Sequence, residues 1–308
     1  MPLTADDWIF AIDFSHEDMT ASFVSAEGRE EGTAGFDLCD FVAGESRPLD
    51  KLLALLAAKA KTAPGPLRAA ALSLPCDLDP QRRTVTNFPE AGWLNGQPLP
   101  EIVEKALEVP ALMERRAVVS LCYDRIMLGL PEDGLIVGCY IDMHYENALW
   151  YCGAPLVGRN GTAGTIAHMT IHDREDNCFC GKTGCVDLYG AGIRLRQMHT
   201  MIFPDTRLDE LFVRHGEHPL VRDYLTMMAY PIAIEANILD PDYIILGGSI
   251  PGMPGFPRQF LESEISRLSY RPSPEQTTRF LPSSCGGMAG VLCLAQYAFQ
   301  KIAPEPAS

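Results

Sequence analysis

The sequence predicts an α/β protein made of two similar lobes, and three observations lead to this prediction. A strand–turn–strand pattern opens at Trp8–Asp13, a second one opens at Leu135–Ile141, and each leads into a mixture of strands and helices. The chain has 308 residues, enough for about two domains at roughly 150 residues each. Hydrophobic residues make up 47% of the chain and charged residues 21%, an ordinary globular composition. Two α/β halves around a cleft are therefore expected.

In the first half, the apolar segments Trp8–Asp13 and Met19–Val24 form the predicted hairpin, and residues 14–18 form its charged turn. The segments Arg68–Pro75 and Ala117–Cys122 have the composition of buried strands. Residues 76–101 are rich in Pro, Gly and Asn and are expected to form an ordered surface loop.

In the second half, Leu135–Ile141 and Asn147–Tyr151 form the hairpin around a turn at 142–146, and Tyr243–Gly248 is an apolar strand that ends in a glycine pair. We expect an N-terminal lobe over 1–123, a C-terminal lobe over 124–290 and a helix over 291–308 that packs back on the N-terminal lobe. Helical periodicity marks four segments: Leu49–Lys61, Pro98–Glu108, Leu188–Thr200 and Leu220–Leu239.

The charge and cysteine patterns limit the partners and the compartment. The chain has 25 Lys and Arg against 40 Asp and Glu, a net charge of −15, which argues against nucleic acid and anionic membranes as partners. The N-terminus lacks the basic and apolar segments of a signal peptide. Seven cysteines are scattered singly, mostly in apolar stretches, as expected in a reducing compartment. These features predict a cytoplasmic protein.

The other three cysteines, Cys178, Cys180 and Cys185, crowd into one loop whose two glycines allow a tight fold. His168 lies ten residues upstream, and three thiolates with one imidazole form a closed tetrahedral set suited to structural Zn²⁺. His172 competes with His168 as the nitrogen ligand, because a strand over 166–172 would place both on one face. The alternative is that three cysteines share the loop by chance.

Residues 158–168 (GRNGTAGTIAH) and 178–187 (CFCGKTGCVD) together resemble the signature of the ROK family of sugar kinases and sugar-responsive repressors. Residues 92–95 (GWLN) are similar to the family's substrate loop, and residues 240–248 (DPDYIILGG) to its nucleotide-side strand and turn. The stretch 237–299 is especially similar to the D-allose kinase branch. The hairpin at Trp8 leaves no room for the DNA-binding helices of the repressors.

The resemblance implies an actin-like, hexokinase-type fold (ribonuclease H-like) with an interlobe cleft, a structural zinc, a homodimer, a sugar or sugar phosphate as ligand, and Mg·ATP if the protein is an active kinase. It implies that Asp124 is the general base; the alternative is that Asp124 is simply an aspartate at the end of a strand. It also implies two further sets, the sugar-binding residues Asn95, Thr165, His168 and Asp187 and the nucleotide-side glycines Gly247, Gly248 and Gly287.

The sequence departs from the family pattern in the phosphate loops. The first loop, Asp-x-Gly-x-Thr in the family, reads Asp13-Phe-Ser-His-Glu17, and the second, Gly-Thr-Gly-x-Gly, reads Asp142-Met-His-Tyr-Glu146. Glycine lets a backbone approach phosphate, and added side chains obstruct that approach. Each added carboxylate within ~4 Å of a phosphate would cost about 1–4 kcal/mol. On the sugar side, Gly-Glu-x-Gly-His becomes residues 164–168 (GTIAH), which lacks one carboxylate.

Three functions are compatible with this pattern. The protein is an active hexose kinase with unusual loops, a pseudokinase that binds sugar or regulates, or a different sugar-acting enzyme built in the former ATP site. The third function would use the His and carboxylate residues of the two loops for acid–base chemistry. Solvated turns are often rich in the same residues, so the cluster has an ordinary explanation too. The candidate catalytic residues of the loops are Asp13, His16, Glu17, His144 and Glu146.

Overall fold

The computed structural model describes residues 4–270, 278–285 and 290–302. It divides into two compact units. The N-terminal unit contains residues 1–123, 157–163 and 289–308, and the C-terminal unit contains residues 124–156 and 164–288.

The N-terminal unit is built on a five-stranded sheet with the order β3-β2-β1-β4-β7. Strand β1 pairs antiparallel with β2 and parallel with β4, and β4 pairs parallel with β7. Phe10, Ile12 and Leu72 are fully buried in its core. The strands are β1 (Trp8–Phe14), β2 (Asp18–Ser25), β3 (Glu30–Asp37), β4 (Leu67–Leu74), the short pair β5 (Asp77–Leu78) and β6 (Val85–Asn87), and β7 (Ala111–Arg115).

The helices of this region are α1 (Leu38–Val42), α2 (Pro48–Ala60), α3 (Leu99–Leu107) and α4 (Arg116–Met127), with a 3₁₀ helix at Pro89–Leu94. Helix α2 begins with Pro48, whose fixed φ suits the first helical turn. The boundary between the two units falls inside α4, between Tyr123 and Asp124.

The C-terminal unit repeats the same arrangement, with the strand order β10-β9-β8-β11-β12. Strand β8 pairs antiparallel with β9 and parallel with β11, and β11 pairs parallel with β12. The strands are β8 (Leu135–Ile141), β9 (Tyr145–Tyr151), β10 (Ala154–Pro155), β11 (Tyr243–Gly247) and β12 (Arg279–Pro282). The helices are α5 (Asp187–Gly190), α6 (Gly192–Ile202), α7 (Leu211–His215), α8 (Pro219–Leu239) and α9 (Arg258–Leu268), with a 3₁₀ helix at Leu208–Glu210.

The last described helix, α10 (Val291–Ile302), packs on β1, β2 and β4 of the N-terminal unit. This contact explains why every residue of β1 is buried, since a strand covered on both faces has no exposed side chains. Residues 303–308 of the predicted C-terminal segment lie outside the described residues. Within the described ranges, no helix combines the length and apolarity that a membrane crossing requires.

In the N-terminal unit, two predicted elements were wrong. Ala117–Cys122 is not a strand but part of α4, and the strand of this region is β7, just before it. Residues 76–101 are not a surface loop, because they contain β5, β6, the 3₁₀ helix and the start of α3, with Leu78, Phe88 and Leu94 fully buried. Their prolines and glycines separate short elements whose apolar residues belong to the core.

Candidate functional site

The carboxyl ends of β1, β4 and β7 meet at one edge of the N-terminal sheet and bring Asp13, Ser73 and Arg116 together. The Ser73 hydroxyl donates a hydrogen bond to the Asp13 carboxylate, and Arg116 Nε lies 3.5 Å from Asp13 Oδ1. Asp13 is 6% exposed and Arg116 is 3% exposed. A buried carboxylate needs a compensating charge, and here a guanidinium of the same unit supplies it.

Next to this group, Glu114 forms a second buried ion pair. Its carboxylate lies 2.6 Å from Arg82 Nε and accepts a hydrogen bond from Tyr297 Oη of α10 at 3.2 Å. Sequence reasoning missed Glu114, Arg115 and Arg116. The available signal was the charged triplet itself, which directly follows the apolar residues of β7. Charged residues at that place mark the carboxyl end of a parallel strand, where α/β proteins build their sites.

The turn between β1 and β2 is closed by its own side chains. Ser15 Oγ accepts hydrogen bonds from the amides of Glu17 at 3.2 Å and Asp18 at 3.0 Å, and it donates to Asp18 Oδ1 at 2.8 Å. His16 Nδ1 lies 3.2 Å from Glu90 Oε1, and Glu17 is exposed. The turn amides that a phosphate loop would offer to an anion are thus bound within the turn.

The turn between β8 and β9 is bound through Asp142 to the segment that follows β11. Asp142 is 7% exposed, and its carboxylate accepts a hydrogen bond from the backbone amide of Ser249. The Asp142 amide donates to the carbonyl of His144 at 3.1 Å. The predicted turn 142–146 is too long, because β9 already begins at Tyr145, and Glu146 is a buried strand residue.

Gly247 and Gly248 bring the end of β11 against the end of β8. Gly248 has φ +99°, and a Cβ there would lie 2.4 Å from the backbone nitrogen and oxygen of Ile141. Only glycine allows both the dihedral angle and the approach. This approach places the Ser249 amide on the Asp142 carboxylate. Gly287, the third predicted glycine, lies outside the described residues.

His144 and Asp187 form a hydrogen-bonded pair. His144 Nδ1 lies 2.5 Å from Asp187 Oδ2, while Asp187 Oδ1 accepts from the Tyr145 amide at 2.8 Å. Asp187 has no exposed surface. It is the first residue of α5, where a carboxylate also benefits from the amide groups of a helix start. Both oxygens are engaged, so Asp187 fixes the orientation of the His144 ring.

Asp124 lies within α4 and not at the end of a strand, and its side chain is fully buried. Its carboxylate accepts hydrogen bonds from Tyr140 Oη at 2.9 Å and from the Ser284 amide at 2.5 Å. Burial raises the pKa of Asp124 above its ordinary value, and the hydrogen bonds from Ser283, Ser284 and Tyr140 oppose that rise. These contacts connect α4 to the segment after β12.

The other two predicted sugar-binding residues lie in different units. Asn95 Oδ1 accepts from the Phe88 amide at 2.8 Å and closes the loop around the 3₁₀ helix of the N-terminal unit. Thr165 is half-buried in the C-terminal unit, on the segment that leads to His168. Neither position establishes sugar contact, and both roles stay predictions.

Cys178, Cys180, Cys185 and His168 form one compact cluster in the C-terminal unit. One ligand atom from each lies within 4.8 Å of all the others. Cys178 Sγ lies 3.5 Å from His168 Nδ1, and Cys180 Sγ lies 3.6 Å from Cys185 Sγ. A tetrahedral zinc with Zn–S bonds of about 2.3 Å separates its sulfurs by about 3.8 Å, so the cluster fits a closed zinc site.

His172 is not a member of this cluster. Its side chain is 97% exposed and lies 3.2 Å from Asp173 Oδ1. The predicted strand over 166–172 does not form; this segment contributes only an isolated bridge from Thr170 to Cys185. The structure thus brings His168, and not His172, to the cysteines.

Phe179 connects the cysteine cluster to the histidine–aspartate pair. Its ring lies edge-on to the ring of His168, with centroids 5.0 Å apart, and edge-on to the ring of His144, with centroids 5.4 Å apart. Because Phe179 lies between two cluster cysteines, the fold of that loop sets the position of its ring. The loop therefore contributes a side chain that packs against the His144 ring.

Comparisons with known proteins agree with this architecture. The chain is 27% identical over 127 residues to N-acetylmannosamine kinase of Salmonella arizonae, covering 40% of this chain and 42% of that relative. It is 23% identical over 176 residues to N-acetyl-D-glucosamine kinase of Escherichia coli O127:H6, covering 52% and 58%. The matches thus span about half the length of these relatives.

A ROK family glucokinase from Streptomyces griseus, solved with glucose and AMPPNP, superimposes with a TM-score of 0.76 at 18% identity, over 95% of this chain and 99% of that one. This likeness confirms the hexokinase-type α/β fold. Residues 46–301 match the sequence model of the ROK family. With most of its length inside that match, this chain belongs to the ROK family.

Proposed function

We propose that this protein binds a hexose in the manner of its family and does not transfer phosphate from ATP to it. The observation that carries the proposal is the buried carboxylate of Asp142, which accepts a hydrogen bond from the Ser249 amide beside the Gly247–Gly248 turn. A triphosphate at this turn would have to displace a negatively charged group from its own hydrogen-bond donor. It would also approach that charge at a turn without the glycines that let the backbone of a phosphate loop come close to phosphate.

The N-terminal unit supports the same proposal. Phosphoryl transfer depends on charge stabilisation by metal ions and on a base that accepts the hydroxyl proton. Asp13, the surviving aspartate of the first loop, is held by Arg116 and Ser73. The residue that follows the carboxyl end of β7 is an arginine, which cannot act as a base because it stays protonated. Asp124, the predicted base, is fully buried.

Transfer of radiolabelled phosphate from ATP to a panel of hexoses, together with calorimetric titration of the same hexoses, tests this proposal. We expect binding of at least one hexose and no labelled sugar phosphate. A kinase of the S. griseus type serves as the positive control for the assay. Sugar-dependent phosphate transfer would overturn the proposal, and so would the failure of every hexose to bind.

The ligand class follows from the relatives and from the sequence pattern. Two relatives are named for N-acetylated hexosamines and one structure contains glucose. The segment 237–299 resembles D-allose kinases. We therefore propose an aldohexose or its N-acetylamino derivative, and the test panel contains N-acetylglucosamine, N-acetylmannosamine, glucose and D-allose.

The cysteine cluster supports a structural role for zinc in the same proposal. Three cysteines and His168 would hold the ion, and four protein ligands leave no open position for a substrate. When bound, the ion fixes the loop that carries Phe179. The homodimer that the resemblance implies also remains a proposal.

One observation favours a second function, an acid–base reaction on a sugar or sugar phosphate. Asp187 holds the His144 ring through Nδ1, which is how hydrolases and isomerases orient a catalytic imidazole. The test is incubation of each bound ligand with wild type and with His144→Asn, followed by NMR analysis of the products. New products with wild type alone would establish this second function.

A further inference from the structure

The C-terminal unit contains a cavity that none of the predicted site residues lines. It has a volume of about 730 Å³ and lies where α7, the start of α8 and the start of α9 come together. Its wall carries three arginines, Arg214, Arg222 and Arg258. In a chain with a net charge of −15, three arginines around one cavity are an unusual local concentration of positive charge.

The arginines keep part of their capacity for hydrogen bonding. Arg258 donates from Nη2 to the carbonyl of Leu246 at 3.3 Å, whereas Arg258 Nη1 is buried and has no hydrogen-bond acceptor among the residues that the structure describes. Its nearest carboxylate, Glu262, is 3.8 Å away. Arg214 pairs with Glu210 at 2.6 Å, and Glu210 does not line the cavity. A guanidinium group has five N–H donors, so one carboxylate partner leaves others that can bind an anion.

The charge balance of the wall favours an anion. Glu217 is the one acidic residue of the wall, and it pairs with Arg222 while remaining 89% exposed. Among the lining residues three guanidinium groups stand against one carboxylate, while Glu210 and Glu262, the partners of Arg214 and Arg258, lie outside the wall. A planar guanidinium fits phosphate oxygens in a bidentate manner, as it also fits carboxylates.

Two helix N-termini add to the positive potential. Helix α8 has 21 residues and begins at Pro219, and α9 has 11 residues and begins at Arg258. Pro257, the N-cap of α9, offers no side-chain acceptor to the first amides of that helix. The amide ends of helices attract anions, so both helix starts act in the same direction as the arginines.

Apolar side chains in the same cavity favour a ligand larger than a bare ion. Phe212, Phe256 and Phe260 line the cavity, and the Arg222 guanidinium lies 4.1 Å from the centre of the Phe260 ring. The Phe212 and Phe256 rings pack edge to face, with centroids 5.2 Å apart. Aromatic rings in a cavity of this size suit the body of a small organic molecule.

We infer that this cavity binds a small organic phosphate monoester, with the arginines on the phosphate and the phenylalanines against the body of the molecule. The site is separate from Asp142, His144 and Asp187, so the inference does not depend on the proposed function. It would give the protein a second ligand, bound beside an arginine that also donates to the Leu246 carbonyl of β11.

Calorimetric titration of the full chain with glucose 6-phosphate, AMP and inorganic phosphate tests the inference. We expect a phosphate monoester to bind at least 5-fold more tightly than inorganic phosphate. Arg222→Gln should weaken that binding at least 10-fold, whereas Arg267→Gln, the same change on α9 outside the cavity, should alter it less than 2-fold. Glu217→Gln should strengthen binding, an effect that loss of folding cannot produce.

Binding at the sugar site is distinguished by a separate variant. If glucose 6-phosphate binds there instead, Asp187→Asn will weaken it and Arg222→Gln will not. That pattern would overturn the inference, as would the failure of all three probes to bind or equal binding of inorganic phosphate and the monoesters. Thermal unfolding of each variant shows whether it is folded, and Arg214→Gln, at an exposed position, replaces Arg222→Gln if the latter unfolds.

Discussion

Asp187 and His144 show how a single carboxylate can organise a site. Asp187 is fully buried at the start of α5 and binds both the His144 ring and the Tyr145 amide. The resemblance to the family implied that this residue contacts sugar hydroxyls directly. In the structure its carboxylate is buried and instead holds the His144 imidazole.

We predict that Asp187→Asn weakens hexose binding about 10-fold or more, equivalent to roughly 1.4 kcal/mol. The asparagine can still accept from the Tyr145 amide, but its amino group faces the ring nitrogen that the carboxylate accepted from. Calorimetry with the hexose found in the panel measures the effect. Asp205→Asn, the same change at an exposed position, is the control. Affinity within 2-fold of wild type for Asp187→Asn would contradict the role.

The glycine turn after β11 combines two separate constraints, and substitution can separate them. Gly248 has a positive φ and a close backbone neighbour, whereas Gly153 has φ +87° with nothing within 4 Å of an added Cβ. We predict that Gly153→Ala costs about 1–2 kcal/mol of unfolding free energy, the cost of the dihedral angle alone. Gly248→Ala should cost at least ~2 kcal/mol more, because the turn must move away from Ile141. Denaturant unfolding measures both, and equal losses would refute the close approach.

At the scale of secondary-structure elements, we expect metal binding by the cysteine loop to require one particular histidine. We predict about one zinc per chain in wild type, loss of the metal in His168→Asn, and retention in His172→Asn, because only His168 lies with the cysteines. Elemental analysis after dialysis measures zinc. Thermal unfolding should show a lower midpoint for His168→Asn, since a structural metal contributes to folding. Zinc loss in His172→Asn with retention in His168→Asn would show that the loop has a different ligand set.

Helix α8 carries a buried acid against the sheet of the C-terminal unit. Asn147 Nδ2 donates to Glu235 Oε2 at 3.1 Å, and Glu235 is 4% exposed. Burial raises the pKa of Glu235 to about 8, while the hydrogen bond from Asn147 opposes that rise. The folded protein therefore holds a proton here over a range in which the unfolded chain releases it.

This difference predicts a pH dependence of stability with a definite sign. Between the ordinary pKa of about 4.5 and the raised value of about 8, the unfolded state binds fewer protons, so stability falls as pH rises. Below that range the group contributes no dependence. Glu235→Gln keeps the shape of the side chain and an oxygen that accepts from Asn147. We expect it to flatten the pH dependence of stability, because the loss of unfolding free energy caused by Glu235, on the order of 4 kcal/mol, is removed. Denaturant unfolding at pH 5 and pH 8 tests this, and parallel curves for both proteins would contradict it.

The elements also show which parts of the structure were predictable from the sequence. Both hairpins and the long helices follow from periodicity, and the cysteine cluster follows from local spacing. The helix α4 was mistaken for a strand because residues 117–122 are apolar in succession, and a helix buried on most of its surface has that pattern too. The group of Asp13, Ser73 and Arg116 could not be found in the same way, because three separate elements bring it together.

At the scale of the whole molecule, the two units repeat one sheet plan. In each unit, the first strand of the hairpin also pairs parallel with a third strand, which in turn pairs parallel with a fourth. The strand orders are β3-β2-β1-β4-β7 and β10-β9-β8-β11-β12. Neither hairpin turn contains glycine; Ser15 and Asp18 close the turn in one unit, and in the other Asp142 binds the Ser249 amide. The hexokinase-type fold is thus present, with the protein's own side chains bound at both hairpin turns.

The most informative single experiment is calorimetric titration of the zinc-loaded protein with Mg·ATP, alone and with saturating hexose. We predict a heat of binding for the hexose and none for Mg·ATP up to millimolar concentrations, because the carboxylate at Asp142 and the closed turns oppose a triphosphate. A micromolar dissociation constant corresponds to about 8 kcal/mol of binding free energy, more than such a site can provide. Binding of Mg·ATP at micromolar to low-millimolar levels would contradict this interpretation and establish a working nucleotide site.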